Sequence, residues 1–188
     1  MSLPIKIALA GEGGQGVQSI AMILAEAAFD NGKEVIYIPN FGVEQRGGVS
    51  IAFVQIADVP IAAPKFKTGD IVVALSSRAC ERTSIYADRE TLFVYDSSKG
   101  EAVESLPGNA KRLIPVPAVK LAKEELHPRV FNMIILGTIL GLEPIISQKQ
   151  AEEAIEKKLG YKFQQKPELR ELNFKALSRG ISLARELL

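Results

Sequence analysis

The sequence is poor in the residues that build metal centres and disulfides. It contains one cysteine, Cys80, one histidine, His127, and no tryptophan. One cysteine cannot form a disulfide within the chain, and it cannot hold an iron–sulfur cluster or a structural zinc ion without further ligands. A disulfide scaffold and a self-contained metal protein are therefore excluded. A lone cysteine on a predicted helix is more typical of packing than of redox chemistry.

A surplus of charge of one sign is also missing. The chain has 23 basic and 22 acidic residues, a formal net charge of +1, and only 6% aromatic residues. This balance creates no field that would attract nucleic acid or an anionic membrane. The longest apolar stretch, residues 130–142, contains Asn132 and is too short to span a bilayer, and the N-terminus has no signal-type pattern. We predict a cytoplasmic protein that binds neither nucleic acid nor membranes.

What is present favours one α/β domain. With 188 residues, 47% of them apolar, the chain can fill one core but hardly two. A buried-strand pattern at residues 5–10, a helical pattern at 15–31 and a second strand at 34–38 form a strand–helix–strand unit. Such a unit predicts two parallel neighbouring strands with a right-handed crossover.

The rest of the chain changes character twice. Two adjacent β-rich runs, residues 49–56 and 58–61, predict an antiparallel hairpin. Further strands are predicted at 71–75, 91–95 and 111–116, and helices at 77–87, 117–126, 130–142, from Ser147 to near Gly160, and from 167 towards 188. Gly180 is expected to weaken the last helix slightly. The prediction is a single Rossmann-like domain over residues 1–188, with a mainly parallel sheet, an antiparallel hairpin and a helical C-terminal part.

A glycine-rich turn separates the first strand from the first helix. Gly11, Gly13 and Gly16 match the spacing G-x-G-x-x-G, with Gly14 and Gln15 between them. Glycines let a ligand approach backbone N–H groups closely, and a helix N-terminus favours an anion there. The turn is therefore predicted to bind a phosphate or to seat a partner subunit. The alternative is that its glycines only let helix and strand pack closely.

Two common nucleotide-binding motifs do not fit this turn. A nicotinamide site needs an acid at the end of the second strand to bind the ribose, and Asn40 stands there. A P-loop needs Lys and then Ser or Thr after the last glycine, and Val17 and Gln18 follow instead.

A second candidate segment directly follows the second strand. Its residues of interest are Asn40, Phe41, Gly42, Glu44, Arg46, Gly47 and Gly48. In a parallel sheet this loop leaves at the same carboxyl edge as the glycine-rich turn, where α/β proteins bind ligands. A long loop with several glycines at that edge favours a binding role over a solvated surface loop. No catalytic residue is predicted.

The two segments together resemble the gamma subunits of 2-oxoacid:ferredoxin oxidoreductases. The resemblance rests on Gly11-x-Gly13-Gly14-Gln15-Gly16-Val17 followed by Pro39-x-Phe41-Gly42-x-Glu44-x-Arg46-Gly47-Gly48. It continues through Val59-Pro60-Ile61, residues 69–75 and Glu171-Leu172-Asn173-x-x-Ala176-x-x-x-Gly180, and so covers nearly the whole chain. The Glu-x-Arg-Gly-Gly form with Ser50 after it is most similar to 2-oxoglutarate-type or general 2-oxoacid enzymes.

This resemblance implies a subunit of a larger enzyme that converts a 2-oxoacid and coenzyme A into acyl-CoA, carbon dioxide and reduced ferredoxin. Thiamine diphosphate and iron–sulfur clusters are then expected in the alpha, beta and ferredoxin-like delta subunits, and ferredoxin is reached through the complex. The chain itself is expected to bind no cofactor firmly, with coenzyme A as a candidate ligand. Residues 69–71 begin like a thiamine diphosphate motif but lack the glycine expected at its third position, and the later asparagine pair is missing too.

Two other interpretations stay open. One is an independent nucleotide-binding oxidoreductase, which the missing ribose-binding acid disfavours. The other is a purely structural subunit whose glycine-rich turn holds no ligand.

Overall fold

The computed structural model describes residues 4–41, 48–98 and 105–188. In chain order its elements are β1 (Ile5–Glu12), α1 (Val17–Asp30), β2 (Glu34–Asn40), β3 (Val49–Ala57), β4 (Ile71–Ala74), α2 (Ser77–Thr83), a 3-10 turn (Ser84–Tyr86), β5 (Leu92–Asp96), β6 (Arg112–Val116), α3 (Ala118–Glu125), a second 3-10 turn (Pro128–Val130), α4 (Phe131–Leu142), α5 (Gln148–Gln165) and α6 (Glu168–Leu187). Within these ranges no helix is both long and apolar enough to cross a membrane.

The strands form one mixed sheet in the order β2-β3-β1-β4-β5-β6. β1, β4, β5 and β6 pair in parallel, whereas β3 runs antiparallel to both of its neighbours, β1 and β2. The predicted α/β domain with a mainly parallel sheet is confirmed. The prediction that β1 and β2 are neighbours is wrong, because β3 lies between them. Both strands still point the same way, since each is antiparallel to β3.

The antiparallel element lies where the sequence predicts it, but its partner differs. Residues 58–61 form bends rather than a strand, and β3 makes its hairpin with the preceding strand β2. Pro60 has no N–H to give to a sheet ladder, which disfavours a second strand at that point. Nearby, the Asp58 carboxylate pairs with Lys33 Nζ at 2.5 Å, beside the start of β2.

The two faces of the sheet are covered unequally. Alternate residues of β1 point to opposite faces: Ile7 and Leu9 enter the larger core, whereas Ala8 and Ala10 enter the smaller one. The larger core contains buried residues from α1, α3, α4, α5 and α6. The smaller core is covered by α2 and by loop residues such as Phe66 and Leu106. Helices α1 and α2, which follow adjacent strands, thus lie on opposite faces.

Helices α4 and α6 pack backbone against backbone. A Cβ on Gly137 would clash with the Leu177 carbonyl oxygen, and one on Gly180 would clash with the Ile134 carbonyl oxygen. On Gly141 it would lie 2.5 Å from Ala184 Cβ. Gly180, which the sequence predicts to weaken α6, therefore allows the two helices to approach. The favourable packing of the pair outweighs the low helix propensity of glycine.

Helix α5 starts as predicted and ends later. Ser147 Oγ accepts from Gln150 N, and Gln150 Oε1 accepts from Ser147 N, which completes the predicted capping box. The helix then continues past Gly160 to Gln165. Phe163 is buried in the larger core, and this burial favours the extra turn over the stop that Gly160 predicts.

We predict opposite effects of one substitution at two helical glycines. Gly180→Ala should destabilise the protein by about 1–3 kcal/mol or more, because the new methyl group meets the backbone of α4. Gly160→Ala should stabilise it by about 0.5–1 kcal/mol, because a Cβ there meets nothing within 4 Å and alanine favours the helix. Urea unfolding midpoints measure both. Equal midpoints for the two variants would disprove the close packing.

Candidate functional site

The candidate site lies between two adjacent strands whose following helices pack on opposite faces of the sheet. β1 leads through residues 12–16 into α1 on one face, and the adjacent β4 leads through Leu75 and Ser76 into α2 on the other. Chains that leave neighbouring parallel strands toward opposite faces open a crevice at the carboxyl edge of the sheet. The glycine-rich turn forms one wall of this crevice, and the start of α2 forms the other.

Backbone conformation requires glycine at two positions of the turn, and lack of space for a Cβ requires it at a third. Gly14 and Gly16 have φ values of 92° and 74°, in the left-handed region that other residues rarely adopt. A Cβ on Gly11 would lie 2.8 Å from both Gln15 Oε1 and Val17 Cγ2. Gly13 differs, since a Cβ there meets nothing within 4 Å. A Cβ on Gly14 also meets nothing within 4 Å, so the open side of the turn is at Gly13 and Gly14, and of these two only Gly13 has an ordinary φ.

Gln15 holds the turn in place. Its Oε1 accepts from Glu12 N at 2.6 Å, and its Nε2 donates to Leu75 O at 2.8 Å. The side-chain amide thus links the two walls of the crevice. The sequence predicts Gln15 as a binding residue. In the structure both the oxygen and the nitrogen of its side-chain amide form hydrogen bonds within the protein.

Gln18 has a similar role that the sequence analysis missed. Gln18 Nε2 donates to Ile51 O at 3.3 Å, and Gln18 Oε1 accepts from the Tyr37 hydroxyl at 2.6 Å. These bonds connect the first turn of α1 to β2 and β3. The available signal was a glutamine in the first helical turn, directly after the glycines.

The described ends of the second segment lie at the same edge. In the sheet register Val49 is opposite Glu12, and Asn40 is opposite Ile51. The side chain of Phe41 is 70% exposed. Of the predicted residues, Asn40, Phe41 and Gly48 are in the described ranges, whereas Gly42, Glu44, Arg46 and Gly47 lie outside them. The described ends of the second segment therefore lie at the same edge of the sheet as the glycine-rich turn.

Two buried polar atoms at this edge have no hydrogen-bond partner. They are Asp96 Oδ2, at the end of β5, and Asn132 Oδ1, at the start of α4, and they are the only such side-chain atoms among the described residues. Asp96 Oδ1 accepts from Ser98 N at 2.8 Å, so half of that carboxylate is satisfied. Buried polar atoms are usually paired, and each exception calls for a physical explanation, of which a missing partner at a binding site is one.

Asn132 links α4 to the glycine-rich turn. A Cβ on Gly16 would lie 2.9 Å from Asn132 Nδ2, so the amide packs directly on that glycine. The sequence analysis noted Asn132 only as a polar interruption of an apolar stretch. That interruption was the available signal for its position at the site.

Among the described residues we find neither a metal-ligand cluster nor a free acid in the segment that begins like a thiamine diphosphate motif. They contain no group of three or more His, Cys, Asp or Glu side chains that could hold a metal ion. Asp70, in the segment that begins like a thiamine diphosphate motif, precedes β4 at the amino edge of the sheet, opposite the crevice. Its Oδ2 accepts from Lys6 N at 2.7 Å, so it is committed to the fold.

Cys80 is a packing residue on α2. Its side chain is 1% exposed in the smaller core, and burial raises the pKa of the thiol to about 11. A thiol in this environment is neutral near pH 7 and therefore a poor nucleophile.

Comparison with known families and proteins gives a consistent result. The pyruvate ferredoxin/flavodoxin oxidoreductase family matches residues 6–183. The ketoisovalerate oxidoreductase subunit VorA of Methanothermobacter thermautotrophicus is 31% identical over 97% of the chain, and the chain spans 37% of that relative's length. The 2-oxoglutarate synthase subunit KorC of Methanocaldococcus jannaschii is 33% identical, with 97% of the chain and 95% of the relative covered.

Two solved structures share the fold. The gamma subunit of a keto/oxoacid ferredoxin oxidoreductase from Geobacter sulfurreducens has a TM-score of 0.81 and 27% identity, with 99% of each chain covered. The 2-oxoglutarate:ferredoxin oxidoreductase of Magnetococcus marinus has a TM-score of 0.87 and 29% identity, and was solved with 2-oxoglutarate, coenzyme A and succinyl-CoA bound. It aligns with all of this chain over 32% of its own chain.

The role of Gln15 can be tested against its neighbour Gly13. Gln15→Ala leaves Glu12 N and Leu75 O without their partner, so we expect a loss of about 1–3 kcal/mol in the free energy of unfolding. Gly13→Ala should change it by less than about 0.5 kcal/mol, because the added methyl group has free space. Urea unfolding provides the measurement, and a harmless Gln15→Ala substitution would refute the clamp.

The buried thiol gives a second prediction. Native protein at pH 8 should react with a disulfide reagent at least about a hundredfold more slowly than protein unfolded in urea, because Cys80 is both buried and protonated.

The raised pKa of the Cys80 thiol also predicts a pH dependence of stability. Below its ordinary pKa of 9.0 the thiol is protonated in both the folded and the unfolded protein. As the pH rises from 9.0 to about 11 it ionises only in the unfolded protein, so the free energy of unfolding should fall. A Cys80→Ala variant isolates this effect. Fast labelling of the native protein would contradict the assignment.

Proposed function

The chain belongs to the pyruvate ferredoxin/flavodoxin oxidoreductase family as a gamma-type domain, and we propose that it works as a subunit of a 2-oxoacid:ferredoxin oxidoreductase. The proposed reaction converts a 2-oxoacid and coenzyme A into acyl-CoA, carbon dioxide and reduced ferredoxin. The match to the family over residues 6–183 is the observation that carries this proposal.

In this enzyme the chain would supply a binding surface rather than reacting groups. Thiamine diphosphate and iron–sulfur clusters would provide the chemistry from partner subunits, because neither Asp70 nor any described acidic, histidine or cysteine cluster suits them here. The partners would be the alpha and beta subunits, with a ferredoxin-like delta subunit in enzymes that carry one. Relatives in which a similar domain forms about a third of a longer chain support such an assembly.

The surface we assign to this role is the carboxyl edge formed by residues 11–16 and 40–48. The first turn of α1 has backbone N–H groups without helical acceptors, and the positive end of the helix dipole favours a phosphate or carboxylate there. The free space at Gly13 leaves room for such a group to approach. Arg46, from the adjoining loop, would add a charge-assisted hydrogen bond.

Coenzyme A phosphates and a carboxylate of a partner subunit are the two ligands that fit this edge. The Magnetococcus marinus enzyme, which binds coenzyme A and has a domain of this fold, supports the first. The unpaired Asp96 Oδ2 and Asn132 Oδ1 are acceptors, so they support a contact with a hydrogen-bond donor of a partner subunit when the enzyme assembles, and not with the anion itself.

The test uses the complete enzyme, co-expressed and purified through a tag on this chain. Gly13→Leu and Arg46→Ala should each weaken subunit retention or raise the KM for coenzyme A by about tenfold, the effect of losing one charge-assisted contact. Gly108→Leu is the matched control, because a Cβ on Gly108 also meets nothing within 4 Å, and Gly108 lies outside the proposed surface.

Parent-like assembly and turnover of both variants would remove the proposed surface while leaving the family assignment intact. The chain purified alone should form no acyl-CoA with a viologen acceptor. Turnover by the isolated chain would overturn the subunit role itself. Copurification with no effect of either variant would favour the purely structural subunit.

A further inference from the structure

A cleft of about 420 Å³ lies on the helical side of the domain. Its walls are the first turns of α1, the start of α4, the last turns of α5 and the start of α6. The floor is apolar: its accessible part comes from the partly buried Leu159 and Leu169, whereas Ile23, Met133 and Phe163, which also line the cleft, are almost fully buried. This volume falls within the range of roughly 300–1,000 Å³ that is typical of small-molecule sites. We call it the helical cleft.

Positive charge surrounds the helical cleft. Arg129, Lys162 and Lys166 line it, and no acidic residue does within the described ranges. The whole chain has a net charge of only +1, so this is a local concentration of one sign. A cleft with charge of one sign and low-dielectric walls attracts ligands of the opposite sign.

The same cations lack the ion pairs that their neighbours have. On α5, Lys149, Lys157 and Lys158 each pair with a carboxylate, at 3.9, 2.8 and 3.2 Å. Lys162, Lys166 and Arg129 form no ion pair with any carboxylate that the structure describes. The cations that line the cleft are therefore available to bind an anion, whereas the lysines nearer the start of α5 are already ion-paired.

The remaining lining groups suit an organic body rather than a bare ion. Tyr161 stands at the cleft with 61% of its surface exposed, and Lys162 Nζ lies 5.6 Å from the centroid of its ring. An exposed aromatic ring beside an apolar floor offers a contact surface at low entropic cost, as tyrosine does in many binding sites. Inorganic phosphate would leave this apolar floor in contact with water.

We propose that the helical cleft binds an amphipathic anion, that is, a carboxylate or phosphate head on an apolar body. The head pairs with Lys162, Lys166 and Arg129, and the body covers the floor at Leu159 and Leu169. This inference goes beyond the proposed subunit function. It concerns a different face of α1 from the glycine-rich turn and can fail or succeed independently of it.

Asn132 connects the helical cleft to the glycine-rich turn. It lines the cleft, and its amide packs against Gly16. Binding in the cleft therefore perturbs the turn through a single side chain.

Amide-resolved NMR titration of the 20.4 kDa chain tests the proposal. The probes are octanoate and octyl phosphate, with acetate as the head alone and octan-1-ol as the body alone. We expect one of the two amphiphiles to shift residues 129–133 and 159–166 and the Asn132 side-chain amide. It should bind at least about tenfold more tightly than either half, the equivalent of one charge-assisted contact. The tighter amphiphile identifies the head group.

Charge variants provide the matched comparison. Lys162→Gln combined with Lys166→Gln should raise the Kd of the tighter amphiphile by about tenfold, and Lys149→Gln combined with Lys157→Gln should leave it within about twofold, because those lysines are ion-paired elsewhere. All four are exposed, so both variants should fold. Equal Kd values in the two double variants, equal binding of acetate, or shifts confined to other faces would each overturn the proposal.

Discussion

The backbone contact between α4 and α6 is the constraint on which the rest of the helical layer depends. Gly137 and Gly180 meet backbone atoms of the opposite helix, and Gly141 meets the Ile181 carbonyl oxygen and the Cβ of Ala184. Such a contact cannot be relieved by a change of side-chain rotamer, because it involves backbone atoms and one Cβ. The start of α4 is thereby fixed, and with it Asn132, which packs on Gly16 of the candidate site. A packing requirement far from the crevice thus positions one of its residues.

Hydrogen bonds of two glutamine side chains also hold the glycine-rich turn in position. Gln15 joins the glycine-rich turn to the end of β4, and Gln18 joins the first turn of α1 to β2 and β3. Each amide is partly buried and uses both its donor and its acceptor, which is the condition under which a buried polar group stabilises rather than costs. The turn is therefore held by the side-chain amides of Gln15 and Gln18 and by the contact with Asn132 of α4. Its free surface is left at Gly13 and Gly14.

Local patterns in the sequence predicted most elements because their causes are local. The capping box at Ser147 and Gln150 and the strand patterns at β4, β5 and β6 depend on residues close in sequence, and they are confirmed. Strand neighbours depend on distant pairing, and so the insertion of β3 between β1 and β2 was not predicted. Gly180 was judged by helix propensity, although its role is set by α4. The edge on which the two candidate segments meet follows from strand direction, whereas the clamp role of Gln15 needs the position of Leu75, 60 residues away.

The position of β3 also limits how this fold could bind a dinucleotide. In a dinucleotide-binding domain the strand beside β1 ends at the carboxyl edge with an acid that binds the adenosine ribose. Here the strand between β1 and β2 is β3, which begins at that edge, with Val49 opposite Glu12. β2, which does end there, is displaced by one further strand, so its tip lies about 10 Å from β1 rather than about 5 Å. An acid at Asn40 would stand too far from the glycines to grip the same nucleotide. A ribose-binding acid at the end of β2, the usual position, would therefore require a different strand order beside β1.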